Sequence, residues 1–187
     1  MTLYDEVRAW LADTAVYAAD VTSDPRIADG ARFFQGRIAS AAECRFDARP
    51  QPVTATAAGV DDTELARRFA GFADELPWSR SPRWDDGGHE RALCVFSEMF
   101  ELNDVVAGLV YLDAGGTYPE HSHPPQELYL TISGAAEWRF GGAEEFVQMP
   151  AGATLYNHPH DRHAIRAGSA PVVAMYVLWG ADVSFER

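Results

Sequence analysis

The stretch from Gly115 to Gly134 constrains this chain more than any other part of its sequence. It carries His121, His123, Glu127 and Tyr129, and these polar side chains all fall at odd-numbered positions. In an extended chain such positions share one face. The neighbouring residues 128, 130 and 132 are apolar and are typical of a core strand. Burying imidazoles and a carboxylate there is unfavourable unless something binds them, so the stretch predicts a site for a divalent metal ion.

The chain changes its patterning near residue 91. Apolar residues repeat at helical spacing in three stretches, and each stretch predicts a helix. The first helix covers residues 3–19, the second begins near Ser23–Pro25, and the third covers residues 62–76. From Arg91 onward, short runs of β-branched and aromatic residues alternate with glycines, which is typical of strands joined by tight turns. Strands are predicted at 92–97, 105–111, 126–131, 135–140, 144–149, 153–157, 163–166 and 172–178. We therefore predict a mainly β protein, in which a helical region (residues 1–90) packs on a double-sheet barrel (residues 91–187).

The charged residues exclude several kinds of partner and chemistry. The net charge is -13 and the pI is about 4.7, which argues against binding to nucleic acid or to an anionic membrane. All 15 basic residues are arginine, so no lysine is present to form a Schiff base with pyridoxal phosphate. The sequence has no secretion signal pattern and no apolar run near the roughly 20 residues of a membrane span, so we expect a soluble, cytoplasmic protein.

The spacing within residues 115–134 resembles the first motif of the cupin superfamily, G(X)5HXH(X)3E(X)6G. Its fixed positions are occupied by Gly115, His121, His123, Glu127 and Gly134. The resemblance implies a cupin double-stranded β-helix, or jelly-roll, barrel. It also implies that the two histidines and the glutamate hold a metal ion inside that barrel.

Residues 149–165 resemble the second cupin motif, which contains a proline turn and a third histidine ligand. Gly152 and Pro159 fit this motif, and His158, His160 and His163 compete for the ligand position. His163 is favoured because it follows the proline and begins the next predicted strand, whereas the other two are expected in the turn. Three imidazoles and a carboxylate leave open coordination positions, as a catalytic metal requires. This ligand set suits Fe, Mn, Ni, Co or Zn, and no organic cofactor is expected.

Within the cupins, the chain resembles the cupin-type dimethylsulfoniopropionate (DMSP) lyases. Residues 118–129, YPEHSHPPQELY, and the later pairs Ser133-Gly134 and Glu137-Trp138 are similar to that family's pattern YPxHxHxxxExY…SGxxEW. The resemblance implies β-elimination of DMSP to dimethyl sulfide and acrylate. It assigns metal ligation to His121, His123, Glu127 and His163, and catalysis to Tyr129 and Tyr118.

Such an elimination needs a base, because it removes a weakly acidic proton next to a carboxylate. Tyrosine has an unperturbed pKa of about 10, but a nearby divalent cation favours the phenolate and lowers that pKa. Tyr129 lies two residues beyond Glu127, within reach of the predicted metal. Tyr118 precedes His121 by three residues and is the second candidate, as the base or as a residue that orients the substrate.

The other end of the implied substrate is a sulfonium, which is cationic and donates no hydrogen bonds. Aromatic faces suit such a group, and the candidates are Tyr176, Trp179 and Trp138. The expected partner is a small zwitterionic substrate, and the cupin resemblance is compatible with a homodimer. Two alternatives stay open on the sequence: a cupin Fe(II) dioxygenase, and a non-catalytic cupin that binds a small molecule. Neither of them requires a tyrosine at position 129.

Overall fold

The helices of the protein come first in the chain and begin where the sequence places capping side chains. The computed structural model describes residues 1–46, 63–79, 89–141, 143–180 and 183. Within these ranges the helices are α1 (Leu3–Val21), α2 (Pro25–Ser40) and α3 (Glu64–Ala70). Each begins after a side-chain cap, from Thr2, Asp24 and Thr63 respectively, that accepts a backbone N–H of the first turn. None of these described helices is both long and apolar enough to cross a membrane.

The strands of the described ranges form two antiparallel sheets. They are β1 (Trp78–Ser79), β2 (Arg91–Val95), β3 (Val105–Leu112), β4 (Thr117–His121), β5 (Gln126–Ser133), β6 (Ala135–Phe140), β7 (Val147–Pro150), β8 (Thr154–Asn157), β9 (His163–Ala167) and β10 (Val172–Trp179). The larger sheet has the order β1-β2-β3-β10-β5-β8, and the smaller has the order β4-β9-β6-β7. The predicted mainly β barrel with a helical N-terminal region is confirmed.

Two apolar cores lie on opposite faces of the six-stranded sheet. One core lies between this sheet and the helices and contains the buried Trp10, Phe34 and Trp78. The other lies between the two sheets, inside the barrel, and contains Leu112 and Trp138. The structure therefore has three layers, in which helices cover the outside of the larger sheet and the smaller sheet closes the barrel.

Strand β5 contributes to both cores, because one of its faces packs against the helices and the other faces the barrel interior, where the candidate site lies. Its even-numbered residues Leu128, Leu130 and Ile132 pack towards the helices. Its odd-numbered Tyr129 packs into the barrel. Because a strand alternates its side chains, Glu127 also faces the barrel interior. The core strand predicted from this alternation is confirmed.

Several predicted elements have different bounds in the structure. The helix predicted over 62–76 is shorter, because α3 ends at Ala70 and a separate 3-10 turn follows at Ala73–Glu75; residue 62 lies outside the described residues. The strand predicted at 144–149 begins only at Val147. Strands β1 and β4 were not predicted. The division of the chain at residue 90 stays a prediction.

Candidate metal centre

The candidate site is assembled by strands of two different sheets rather than by one strand. His121 ends β4 in the smaller sheet, whereas Glu127 and Tyr129 lie on β5 in the larger sheet. His123 lies in the connection between them, which contains Pro124 and Pro125. The prediction that all four polar residues share the face of one strand is therefore wrong. The consecutive prolines explain why, since proline cannot donate to a sheet ladder and ends the regular strand here.

Strands β4 and β9 bring two histidines opposite each other. His121 pairs directly with His163, the first residue of β9, and their ring centroids are 4.3 Å apart. The β4–β9 register shifts between Tyr118 and His121, as it does at a β-bulge. As a result Tyr118 and His121 both line the same cavity, although they are three residues apart. The intervening Glu120 makes a separate set of contacts.

Glu120 forms ion pairs with two arginines rather than with the histidines. Its carboxylate contacts Arg162 and lies 3.6 Å from Arg139 on β6. Arg139 in turn lies over the ring of Phe146, 5.2 Å from its centroid. These contacts tie the bulged part of β4 to its neighbours in the smaller sheet.

The three histidines are oriented by backbone carbonyls. The Nδ1 atoms of His121, His123 and His163 lie 2.9, 3.1 and 3.0 Å from the carbonyl oxygens of residues 119, 125 and 161. A carbonyl only accepts hydrogen bonds, so each Nδ1 carries the proton and each Nε2 keeps its lone pair when the ring is neutral. One ring nitrogen from each of the three lies within 4.8 Å of the other two. Neutral imidazoles held in this way are the usual form of a metal-binding histidine.

Glu127 completes the cluster from the larger sheet. Its side chain is 2% exposed, and Oε2 lies 3.0 Å from Nε2 of His123 and 3.3 Å from Nε2 of His163. Asn157 on β8 donates a hydrogen bond of 2.9 Å from Nδ2 to the same oxygen. Nitrogen and carboxylate oxygen ligands lie about 2.0–2.2 Å from a zinc ion, so atoms as close together as these could share one metal ion. The Nε2 atom of His163 is buried and has no hydrogen-bond partner among the described atoms, so the donor set fits a metal ion.

The protonation of the histidines is set by burial and by their neighbours. Burial and the adjacent His163 lower the pKa of His121 to about 4. Burial also lowers the pKa of His163, against the opposing effect of Glu127. Burial disfavours the charged form of His123, but the hydrogen bond to Glu127 and its charge outweigh burial and raise the pKa of His123. His121 and His163 are therefore neutral at neutral pH and ready to act as ligands.

A cavity of about 380 Å³ opens next to this cluster. It is lined by Leu93, Val110, Tyr118, Pro119, His121, Ser122, His123, Glu127, Tyr129, Tyr176 and Leu178. Its lining combines three of the candidate ligands, His121, His123 and Glu127, with aliphatic and aromatic side chains. Its volume lies within the range of small-molecule sites, which is about 300–1,000 Å³.

Tyrosines 118, 129 and 176 contribute to this cavity. The Tyr118 ring lies 4.4 Å from the His121 ring, centroid to centroid. Tyr129 is 5% exposed, and burial together with the Glu127 carboxylate raises its pKa well above the ordinary value. Burial also raises the pKa of Tyr176. In the absence of a nearby cation, Tyr129 and Tyr176 are therefore neutral hydroxyl groups.

The two predicted tryptophans do not line the cavity. Trp138 is buried behind Tyr129, with ring centroids 4.4 Å apart, and so supports that side chain. Trp179 lies on the other side of the sheet, where its ring fills the space over Gly30 of α2. The reason is strand alternation, because Tyr176 and Leu178 of β10 face the barrel and Trp179 faces the helices. The expectation that Trp179 belongs to the binding site is corrected by this placement.

The two other histidines of the second motif lie outside the cluster. His158 is exposed, and its Nε2 accepts a hydrogen bond of 2.8 Å from Arg26. His160 is exposed on a turn, with a positive φ of 64°. Sequence analysis did not single out Asn157, the buried partner of Glu127. Its signal was weak, because a single polar residue at the end of a predicted strand is also typical of a turn.

Two antiparallel sheets that enclose this cluster define the protein as a cupin with a candidate metal centre. The chain belongs to the dimethylsulfoniopropionate lyase family, whose profile matches residues 51–174. A relative, the dimethylsulfoniopropionate lyase DddQ of Ruegeria pomeroyi, is 33% identical over 84 residues, which cover 45% of this chain and 41% of that enzyme.

Solved structures share the fold over most of the chain. A chain from the crystal structures of the DMSP lyases RdDddP and RnDddQII superposes with a TM-score of 0.74 and 17% identity, and the match covers 98% of this chain and 97% of that one. The crystal structure of the DMSP lyase DddQ from Ruegeria pomeroyi gives a TM-score of 0.62 at 20% identity, over 87% of this chain and 95% of that one. Both similarities include the helical region as well as the barrel.

Proposed function

We propose that the protein is a metal-dependent lyase that cleaves the C–S bond of DMSP, or of a close analogue, by β-elimination. The observation that carries this proposal is the cavity lined by imidazoles, a carboxylate, tyrosines and apolar side chains, beside a cluster of three histidines. Membership of the DMSP lyase family supports the choice of substrate. The products are dimethyl sulfide, acrylate and a proton.

The cavity is lined by both polar and apolar side chains, which suits the two chemically different ends of a zwitterionic substrate. The substrate carboxylate is placed beside His121, His123, Glu127 and His163, which would hold a divalent transition metal ion. When bound, that ion acts as a Lewis acid on the carboxylate, which makes the adjacent C–H bond more acidic and favours the phenolate form of a neighbouring tyrosine. Fe, Mn, Ni, Co and Zn all suit this ligand set, and no organic cofactor takes part.

The sulfonium end of the substrate is placed against Tyr176 and the aliphatic side chains of Leu93, Val110 and Leu178, which line the cavity. An aromatic face attracts a cation that cannot form hydrogen bonds. The apolar wall also excludes water from the leaving group. This environment favours departure of sulfur as neutral dimethyl sulfide, because charge is lost there during the reaction.

Tyr129 is the proposed base. Its hydroxyl oxygen, as phenolate, takes the proton from the carbon next to the carboxylate. The electron pair of that C–H bond forms the new C=C bond, and the electron pair of the C–S bond leaves with sulfur. Packing against Trp138 holds the Tyr129 ring in place beside Glu127. Tyr118 lines the same cavity from β4 in the smaller sheet. It orients the substrate and is the alternative base.

Headspace detection of dimethyl sulfide tests this proposal directly. The protein is freed of metal with a chelator, reloaded with one divalent ion at a time, and incubated with DMSP under anaerobic conditions. We expect dimethyl sulfide and acrylate in equal amounts from reloaded protein and neither from the chelated control. In a parallel aerobic incubation, oxygen consumption by the Fe(II) form without these products would identify a dioxygenase instead. Tight binding of DMSP without turnover, with every metal, would identify a non-catalytic binding protein.

A further inference from the structure

Asn157, on β8, is hydrogen-bonded to one of the candidate ligands. It ends β8 and lies directly opposite Glu127 in the β5–β8 pair. Its side chain is 1% exposed, and Nδ2 donates a hydrogen bond of 2.9 Å to Oε2 of Glu127. The contacted oxygen is the one that lies nearest His123 and His163. The amide is therefore coupled to the ligand atom itself rather than to the strand backbone.

The buried amide of Asn157 is only half satisfied. Its Oδ1 is buried and has no hydrogen-bond partner among the described atoms. Burying an amide with one unmade hydrogen bond is unfavourable, and an apolar side chain of similar volume would avoid that cost. Packing alone therefore does not account for an asparagine here. What an apolar residue lacks is the N–H that reaches Glu127.

We infer that Asn157 is a positioning residue that fixes the Glu127 carboxylate before a metal ion binds. This inference rests on the metal centre of the proposed function. The N–H of Asn157 occupies one lone pair of Oε2 and restricts rotation of the carboxylate, so that the same oxygen stays beside His123 and His163. A ligand already held in its bound orientation loses less conformational entropy on binding, which increases metal affinity.

The test compares variants that lack the donor with a control on the same strand pair. Asn157→Leu keeps a similar volume without an N–H, and Asn157→Ala lacks both volume and donor. The control is Tyr156→Phe, which removes the hydrogen bond from the Tyr156 hydroxyl to Oε1 of Gln126. That bond also joins β8 to β5, but adjacent strand residues point to opposite faces, so the control leaves the barrel interior intact.

Zn(II) affinity is measured for each folded apoprotein by competition with a chromophoric chelator, and the absorption spectrum of the Co(II) form reports on the ligand geometry. We expect both Asn157 variants to bind Zn(II) about 10- to 100-fold more weakly, with a changed Co(II) spectrum. Tyr156→Phe should match the wild type in both measurements. Circular dichroism of the apoproteins checks that each variant is folded, and if one is not, the other carries the comparison.

Two results would overturn the inference while leaving the proposed function intact. In one, the wild type is an active lyase and both Asn157 variants bind Zn(II) as tightly as it does. In the other, only Asn157→Ala loses affinity, which would show that volume matters and the donor does not. A wild-type protein that binds no divalent metal would overturn the inference and the proposed function together. Wild-type metal binding without lyase activity would refute only the function.

Discussion

Replacing Tyr129 by phenylalanine removes the proposed base without changing the packing around it. The substitution removes one hydroxyl and keeps the ring, which packs 4.4 Å from Trp138 and 6.1 Å from Tyr176, centroid to centroid. A positioned general base contributes about 10²- to 10⁴-fold to a rate. We therefore expect kcat for dimethyl sulfide formation to fall at least about 100-fold, which corresponds to about 2.7 kcal/mol of transition-state stabilisation.

The same substitution should change stability little. The loss of one buried hydrogen-bonding group costs about 1 kcal/mol, and for a chain of this length 1 kcal/mol shifts Tm by about 2–4 °C. None of the four proposed ligand side chains is altered, so the metal content should stay near one ion per chain. A large rate loss with a small change in Tm and metal content is the signature of a lost catalytic group.

The assay combines headspace gas chromatography of dimethyl sulfide, elemental analysis and thermal melting on one preparation. Tyr118→Phe is the matched comparison, since it removes a hydroxyl from the other side of the same cavity. Turnover by Tyr129→Phe close to that of the wild type would refute the assignment of the base. If Tyr118→Phe were then inactive, the proton would go to Tyr118 instead.

Three further substitutions test the ligand set and the barrel. His163→Ala should lower the metal content measured by elemental analysis, whereas His160→Ala should not, because His160 is exposed on a turn. The opposite result would mean that His160, and not His163, is the histidine ligand of the second motif. Gly134→Ala should lower Tm, since Gly134 has a φ of 76° and an added Cβ would lie 2.2 Å from the carbonyl oxygen of Pro171. The backbone term alone costs roughly 1–2 kcal/mol, and an unchanged Tm would contradict this reasoning.

The elements predicted well are those whose signals are local. The start of α2 follows from Asp24 and Pro25, because a cap and a proline in the first turn act within a few residues. Both ends of strand β6 were predicted correctly, because turn residues lie on either side of this segment. Strand β4 was missed because it contains Pro119 and has no fully buried residue. Its strand character comes from pairing with β9, and pairing partners are not visible in a local pattern.

The predicted ligands are brought together in the structure, although by a different geometry from the one that suggested them. Alternation along a single strand predicts that Tyr118 faces away from His121, since they are three residues apart. The bulge between them interrupts the alternation of side-chain directions, so both side chains reach the cavity. His121 also comes to lie opposite His163. Pro119 is the only local indication of the bulge, and its position depends on β9. A metal centre built from two sheets can therefore be recognised by residue spacing, and Tyr118 by the family resemblance. The bulge that brings Tyr118 into the cavity and the role of Asn157 become visible only when the strands are paired.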